Sequence, residues 1–300
     1  MKLIKLYGLH NVLLLALGMF AFKYGFLDRQ SGIILALNEL QFAGLVLSCA
    51  LIAAGGFFIN NVVGIGKENT SKYNEATAYN IYIALTLAGV GIGYYVADFI
   101  GKPMFSGVFI AGAATMYIYA TSLKQTILVS NILIALTLTL PFVAMGVFTL
   151  FPVLTNDNRP LLAILFRIML DYALFIFVIG LLISFVTDLT TTDEDYNSGI
   201  NTLPIVLGRT RTLKIILAFT ILPVAMLFYY GNTYIIDLTI ALGYSLFLIL
   251  GPLVYFAIKV WSAKTQKDFL HLETVLRVVM LFALLSIIVI TFNIEYNAKG

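Results

Sequence analysis

The chain alternates long apolar runs with short polar segments. Nine of the runs approach or exceed the length of about 20 residues that a helix needs to cross a hydrocarbon core about 30 Å thick. They cover residues 8–26, 40–60, 78–100, 103–123, 127–151, 161–187, 212–230, 234–260 and 273–293. The short alternating segments of about 10 residues that mark a membrane β-barrel are missing from the sequence. The pattern therefore predicts an all-α polytopic membrane protein with about nine transmembrane helices.

Composition supports this fold class and excludes others. Hydrophobic residues make up 61% of the chain and charged residues 11%, whereas soluble domains carry about 25% charged residues. The mean hydropathy is +0.98. The single cysteine, Cys49, lies in an apolar run, which excludes an internal disulfide and argues against a metal cluster. A net charge of +3 gives no indication of nucleic acid, and no nucleic-acid partner is expected.

The connections between the runs indicate one helical bundle. Most are short, as between antiparallel neighbours, and no linker or low-complexity tract divides the chain, so residues 1–300 are predicted to form a single transmembrane domain. Lys2 and Lys5 precede the first apolar run as in a signal peptide. Without a convincing cleavage site, that run is interpreted as a retained first helix.

Basic residues predict the orientation in the cytoplasmic membrane. With a cytoplasmic N-terminus, the inner side collects most of them, as the positive-inside rule requires. These inner residues are Lys2, Lys5, Lys67, Lys72, Lys124, Arg209, Arg211, Lys214, Lys259, Lys264 and Lys267. The outer side keeps Arg29, Lys102, Arg159, Lys299 and one borderline residue, Lys23. The two long connections, 61–77 and 188–211, are then both cytoplasmic.

These two connections carry polar residues with matched spacing. Asp188, Thr191 and Asp195 follow an i, i+3, i+7 pattern, which places them on one face of a helix. Asn61, Gly64 and Glu68 repeat the spacing after the second run. Oxygen ligands from two such helix ends can hold Mg²⁺ together with substrate phosphates. The alternative interpretation is a solvated acidic loop at the membrane surface.

Longer motifs bear on this choice. The segments "AAGGFFINN" and "DYNSGINTLPIVLG", with the nine-run layout, resemble the UbiA-type intramembrane prenyltransferase superfamily. That family has an Asn-Asp-x-x-Asp-x-x-x-Asp signature after its second helix and an Asp-x-x-Asp-x-x-x-Asp signature after its sixth. A Gly-x-x-Thr-Leu-Pro turn follows, which here is matched by Gly199, Thr202, Leu203 and Pro204, with Gly208 beyond.

The resemblance implies a UbiA-like bundle and a Mg²⁺-dependent transfer of an isoprenyl group. A prenyl diphosphate donor would bind through Mg²⁺, and a hydrophobic acceptor, such as a lipid, quinone or aromatic precursor, would attack it among membrane lipids. Asp188 and Asp195 would be the catalytic residues and, with Glu68, the metal ligands. Candidate substrate-binding residues are Asn60, Asn61, Lys124, Tyr119 and Arg209.

The sequence departs from the family pattern where carboxylates are expected. Of six acidic positions in the two signatures, only Glu68, Asp188 and Asp195 remain acidic, and the central positions hold Gly64 and Thr191, so the metal site is reduced. Asp193 is a further candidate metal ligand, in the place of Thr191, if the helix unwinds there. Two hypotheses follow: an active prenyltransferase, or a catalytically impaired member that binds isoprenoids or serves as a scaffold. Elsewhere, Arg167 and Asp171 are spaced i, i+4 on the sixth run and are expected to pair.

Overall fold

Helices that cross the bundle dominate the computed structural model, which describes residues 7–62, 74–123 and 126–298. Six long helices form the first part of the chain: α1 (Leu9–Gly25), α2 (Glu39–Val62), α3 (Glu75–Phe99), α4 (Gly107–Thr121), α5 (Val129–Leu150) and α6 (Arg159–Asn197). The remaining helices are α7 (Leu203–Leu207), α8 (Arg209–Phe219), α9 (Ile221–Tyr230), α10 (Thr239–Tyr244), α11 (Gly251–Ser262) and α12 (Gln266–Asn297). The π-helical segments Gly231–Ile235 and Ser245–Leu250 extend α9 and α10.

Nine stretches within the described residues are long and apolar enough to span a membrane, which confirms the predicted class of integral membrane protein. The seventh span joins α8, α9 and the first π segment, and the eighth joins α10, the second π segment and α11. Each of the other seven spans consists mainly of one long helix of its own. A bilayer offers no hydrogen-bond partners to the backbone, and a helix satisfies its peptide groups internally.

The core lies where α6 packs against α5 and α12. α2 packs most extensively on α3, and α12 also contacts α1. Residues such as Phe22, Phe142 and Leu284 are almost completely buried there. α6 is the longest helix, with 39 residues, and measures about 58 Å at 1.5 Å per residue. It therefore extends beyond the hydrocarbon layer and carries polar residues to one end of the bundle.

At the opposite end, the buried side chain of Lys23 forms ion pairs with two more exposed carboxylates near the turn between α1 and α2. The Lys23 ammonium group donates to Asp28 at 2.8 Å and to Glu39 at 3.2 Å. Only 3% of the Lys23 side chain is exposed. Removing one partner of a buried ion pair leaves an uncompensated charge, so this cluster fixes the turn between the two helices.

Close packing between α3 and α4 depends on Gly93. A Cβ atom at this position would lie 2.4 Å from the ring of Phe109, whereas one at Gly91, two residues away, would meet nothing within 4 Å. Small residues let membrane helices approach closely. Gly93 therefore sets the spacing of the two helices.

We predict that Gly93→Ala destabilises the protein by about 1–3 kcal/mol, because the methyl group overpacks a contact with a rigid ring. Gly91→Ala is the matched control and should be neutral or slightly stabilising, since alanine favours helix more than glycine does. Thermal unfolding in detergent measures both. Equal unfolding midpoints for the two variants would contradict the packing role of Gly93.

Candidate functional site

The acidic residues of the second motif lie on a helix and not in a loop. The expected connection 188–211 is wrong in its first part, because α6 continues to Asn197. Threonine hydroxyls in this extension bond to carbonyls about one turn back: Thr190 donates to Thr187 at 2.8 Å and Thr192 to Asp188 at 2.9 Å. Asp188 and Asp195 thus stand on a rigid helix end, with positions set by the bundle.

Gly199 explains why α6 ends shortly after Asp195. Its φ of 67° is left-handed, a conformation that glycine adopts without steric cost. The Ile200 amide then donates to the Asp195 carbonyl at 3.0 Å, and the Gly199 amide donates to Tyr196 at 3.2 Å. This is the Schellman pattern of helix termination. The glycine of the Gly-x-x-Thr-Leu-Pro turn therefore fixes the end of the helix that carries the acids.

Asp188 is oriented by a buried amide from α5. The Asn131 side-chain nitrogen donates to an Asp188 carboxylate oxygen at 2.9 Å and to the Ser184 hydroxyl at 2.9 Å. Asn131 and Ser184 are each 2% exposed, and Asp188 is half-buried. Buried polar side chains that are hydrogen-bonded in this way hold one orientation. Asn131 therefore ties the carboxylate of α6 to the neighbouring helix.

Asp195 is oriented from its own helix. The Thr191 hydroxyl, one turn earlier, donates to an Asp195 carboxylate oxygen at 2.6 Å, and Asp195 is 9% exposed. Thr191 occupies a position where the family pattern has a carboxylate, yet its hydroxyl serves here as a hydrogen-bond donor. A carboxylate offers about four lone-pair positions, so each of these hydrogen bonds uses only part of the acceptor capacity of its carboxylate.

Tyr119 lies between the two motif regions. Its phenol, near the end of α4, is close enough to interact electrostatically with both Asp188 and Asp195. The next residue, Ala120, packs in a buried cluster with Ile59 of α2 and Tyr82 of α3. The ends of α2, α4 and α6 therefore meet in one region.

Two side chains near these helix ends have buried oxygens without a hydrogen-bond partner among the described residues. They are the amide oxygen of Asn60, next to Ile59, and the hydroxyl oxygen of Thr202 in the Gly-x-x-Thr-Leu-Pro turn. A buried polar atom without a partner is costly and is uncommon in native proteins. Asn61, the residue after Asn60, is half-buried. The Asn60 oxygen is of the type that binds Mg²⁺ or a ligand donor.

Asp193 lies outside this group. The helix does not unwind at Asp193, and its carboxylate accepts from the Arg209 guanidinium at 2.6 Å, with 86% of the Asp193 side chain exposed. Among the described residues, no three His, Cys, Asp or Glu side chains are grouped to hold a metal ion. The structure therefore does not join Asp193 to Asp188 and Asp195. Arg209, proposed to bind substrate, is engaged with Asp193.

Three motif and candidate site positions of the sequence analysis lie outside the described residues. They are Gly64 and Glu68 of the first motif and Lys124 after α4. The described part of the site therefore consists of Asp188, Asp195 and their hydrogen-bond partners, with Tyr119 and Asn60 from neighbouring helices.

Asn131 and Ser184 were not identified from the sequence. One signal was available for Ser184, which precedes Asp188 by four residues and so shares its helix face. Asn131 stands in an apolar run far along the chain from Asp188, and only the packing of α5 on α6 brings the two together. The available signal for Asn131 was that it is a polar residue within a predicted transmembrane span.

Comparison with known proteins identifies the architecture. A scan with protein-family models and a search of curated proteins each give no match. Among solved structures, a digeranylgeranylglyceryl phosphate synthase superposes with a TM-score of 0.62 at 16% identity, covering 96% of this chain and 97% of that one. A UbiA homolog from Archaeoglobus fulgidus bound to DMAPP and Mg²⁺ gives a TM-score of 0.60 at 17% identity, with 95% and 99% covered.

The superpositions extend over nearly the whole of each chain, so the likeness concerns the complete helical arrangement. The fold implied by the resemblance of the sequence motifs is therefore confirmed. The chain has the fold of the UbiA-type intramembrane prenyltransferases.

Proposed function

We propose that the protein is a membrane prenyltransferase that moves an isoprenyl group from a prenyl diphosphate to a hydrophobic acceptor. The observation that carries this proposal is the pair Asp188 and Asp195, held at one end of α6 beside Tyr119 in a bundle of this fold. A neighbour of the same fold is bound to DMAPP and Mg²⁺, which supports a diphosphate donor and a divalent cation here.

The residues present fit a reduced magnesium site. Mg²⁺ is usually bound through one or two carboxylates together with substrate phosphates and water. Asp188 and Asp195 would supply the carboxylates, and the unpartnered oxygen of Asn60 is a further candidate ligand. When bound, the cation would neutralise charge that develops on the diphosphate as it leaves.

The chain's own groups have defined roles in this proposal. Asn131 and Thr191 keep the two carboxylates in fixed orientations, which limits the rearrangement needed when the donor binds. Tyr119 closes one side of the site with a buried ring. Apolar helix walls around the site would keep water from the reactive prenyl group, while the isoprenyl tail extends among the helices.

Donor binding tests the site directly. We expect purified protein to bind DMAPP with Mg²⁺ at least about tenfold more tightly than with a chelator, because the cation links carboxylates to phosphate. Asp188→Asn and Asp195→Asn keep the side-chain shape but remove the charge, and each should weaken Mg²⁺-dependent binding about tenfold. Isothermal titration calorimetry measures these affinities.

Asp193→Asn is the matched control for both variants. It removes the same charge from the same helix end, at a side chain that is exposed and paired with Arg209. Its affinity should stay within about twofold of the wild type. Equal donor binding with and without Mg²⁺, or an Asp193→Asn effect as large as that of Asp188→Asn, would contradict the proposed site.

A second candidate function is isoprenoid binding without turnover. It is favoured because the described residues hold no group of three metal-binding side chains and because Thr191 stands where a carboxylate is expected. In this case the protein would retain the donor site and act as a binding or scaffold protein in the membrane.

Adding a carboxylate separates the two functions. Thr191→Asp would place a third acid beside Asp195, so an impaired enzyme should gain prenyl transfer. An enzyme adapted to the reduced site should instead lose prenyl transfer, because Asp195 would lose the hydroxyl that donates to it. Thr190→Asp adds the same charge one residue away and is the control. Transfer of labelled prenyl groups in an acceptor screen is the measurement. A gain in prenyl transfer with Thr191→Asp but not with Thr190→Asp would show that the wild-type protein is not a fully active enzyme. Prenyl transfer by the wild type that decreases in Thr191→Asp would exclude the binding-only function.

A further inference from the structure

A second polar cluster lies on α6 far from the acidic site. Asp171 accepts hydrogen bonds from two phenols of the neighbouring span, from Tyr234 at 3.1 Å and from Tyr230 at 3.4 Å. The two bonds use different carboxylate oxygens, so each oxygen of Asp171 has a tyrosine partner. Tyr234 belongs to the π-helical segment Gly231–Ile235, and π-helical turns occur frequently at functional sites.

These tyrosines separate Asp171 from its expected partner. Arg167 precedes Asp171 by one helical turn, and the predicted pair is wrong: in the described part of the chain, Arg167 forms neither an ion pair with Asp171 nor a side-chain hydrogen bond. Its charge nevertheless acts on the Tyr234 hydroxyl, so the guanidinium lies nearby. Arg167 is therefore a cation with unused donors, and the Asp171 carboxylate is oriented toward the two phenols and not toward the guanidinium.

The surroundings of Arg167 are those of a bilayer-facing surface. Arg167 itself is exposed, and large apolar side chains near it on α6 are exposed as well: Ile164 by 57%, Leu170 by 41% and Leu174 by 51%. An unpaired charge among lipid tails is costly, and a long arginine side chain reduces this cost by reaching the headgroup layer. There the guanidinium meets phosphate, which it binds with paired hydrogen bonds.

We propose that Arg167 is the centre of a phospholipid-binding site that recognises the lipid phosphodiester, and that Tyr230 and Tyr234 keep Arg167 available by holding Asp171. The site is separate from the acidic one, because Arg167 precedes Asp188 by 21 positions, which is roughly 30 Å along a helix. Its occupant is a structural or regulatory lipid and is independent of the proposed prenyl transfer.

Native mass spectrometry of the full-length protein in detergent tests this site. Dioctanoyl-phosphatidylglycerol should be retained, and dioctanoylglycerol, which has the same chains without phosphate, should be lost. Arg167→Gln should lower phosphatidylglycerol binding about tenfold, as expected for one charge-assisted contact. Arg29→Gln is the control, because Arg29 is also exposed and already has Glu295 at 3.9 Å.

Removing the two hydroxyls tests the role of the tyrosines. In Tyr230→Phe with Tyr234→Phe, Asp171 loses both donors and is free to neutralise Arg167, so phosphatidylglycerol binding should fall severalfold although Arg167 is unchanged. Tyr229→Phe removes a neighbouring exposed hydroxyl that does not bond Asp171, and binding should be unaffected.

Three results would overturn the proposal. Arg167→Gln with wild-type binding would exclude the arginine, and equal retention of dioctanoylglycerol would show that only the chains are recognised. Displacement of the lipid by inorganic phosphate at equal concentration would indicate a general anion site and not a lipid site.

Discussion

A bilayer interior provides no hydrogen-bond partner for a peptide group, and this constraint determines where chemistry can be placed in the protein. Backbone within the membrane must be helical, so polar function is restricted to helix ends and to side chains supported by neighbouring helices. α6 meets the constraint by its length. Its 39 residues pass through the core and continue beyond it, and Asp188 and Asp195 are carried on the last turns of the same rigid element.

Hydrogen bonds from neutral groups then define the acidic end. Asn131 holds Asp188 from α5, and Thr191 holds Asp195 from within α6. Neutral donors orient a carboxylate without cancelling its charge, whereas a buried arginine would compete with a cation for it. A site with few carboxylates can therefore still present them in fixed directions. This arrangement suits a cation that obtains its remaining ligands from the diphosphate and from water.

Much of the fold could be predicted from the sequence, because hydropathy records directly which segments cross the membrane. The nine spans were identified in this way, the motif around Gly199 was identified by family resemblance, and the structural neighbours confirm the architecture. The end of α6 was not predicted correctly. Residues from Thr187 to Asn197 are mostly polar and resemble a loop, but their threonine hydroxyls bond within the helix.

Contacts between distant residues were harder to predict. The Asn131–Asp188 bond depends on how α5 packs on α6, and a single sequence contains no record of that register. The same limit applies to Asp171, for which helical spacing favoured Arg167 as a partner. Two tyrosines from the next span bind it instead, because tertiary packing places their hydroxyls closer to the carboxylate. Spacing along one helix identifies possible partners, and packing between helices selects among them.

The central claim is that Asp188 and Asp195, about 10 Å apart along α6, each help to hold divalent cations that also contact the donor diphosphate. Electron–nuclear double resonance on the protein loaded with Mn²⁺ and DMAPP measures this directly, since ³¹P coupling appears only when phosphate oxygens bind the metal. The predicted result is a ³¹P coupling that is present in the wild type, retained in Asp193→Asn and clearly reduced in Asp188→Asn at the same concentrations of Mn²⁺ and DMAPP. Bound Mn²⁺ without ³¹P coupling, or a coupling that persists when both Asp188 and Asp195 are replaced by asparagine, would contradict it.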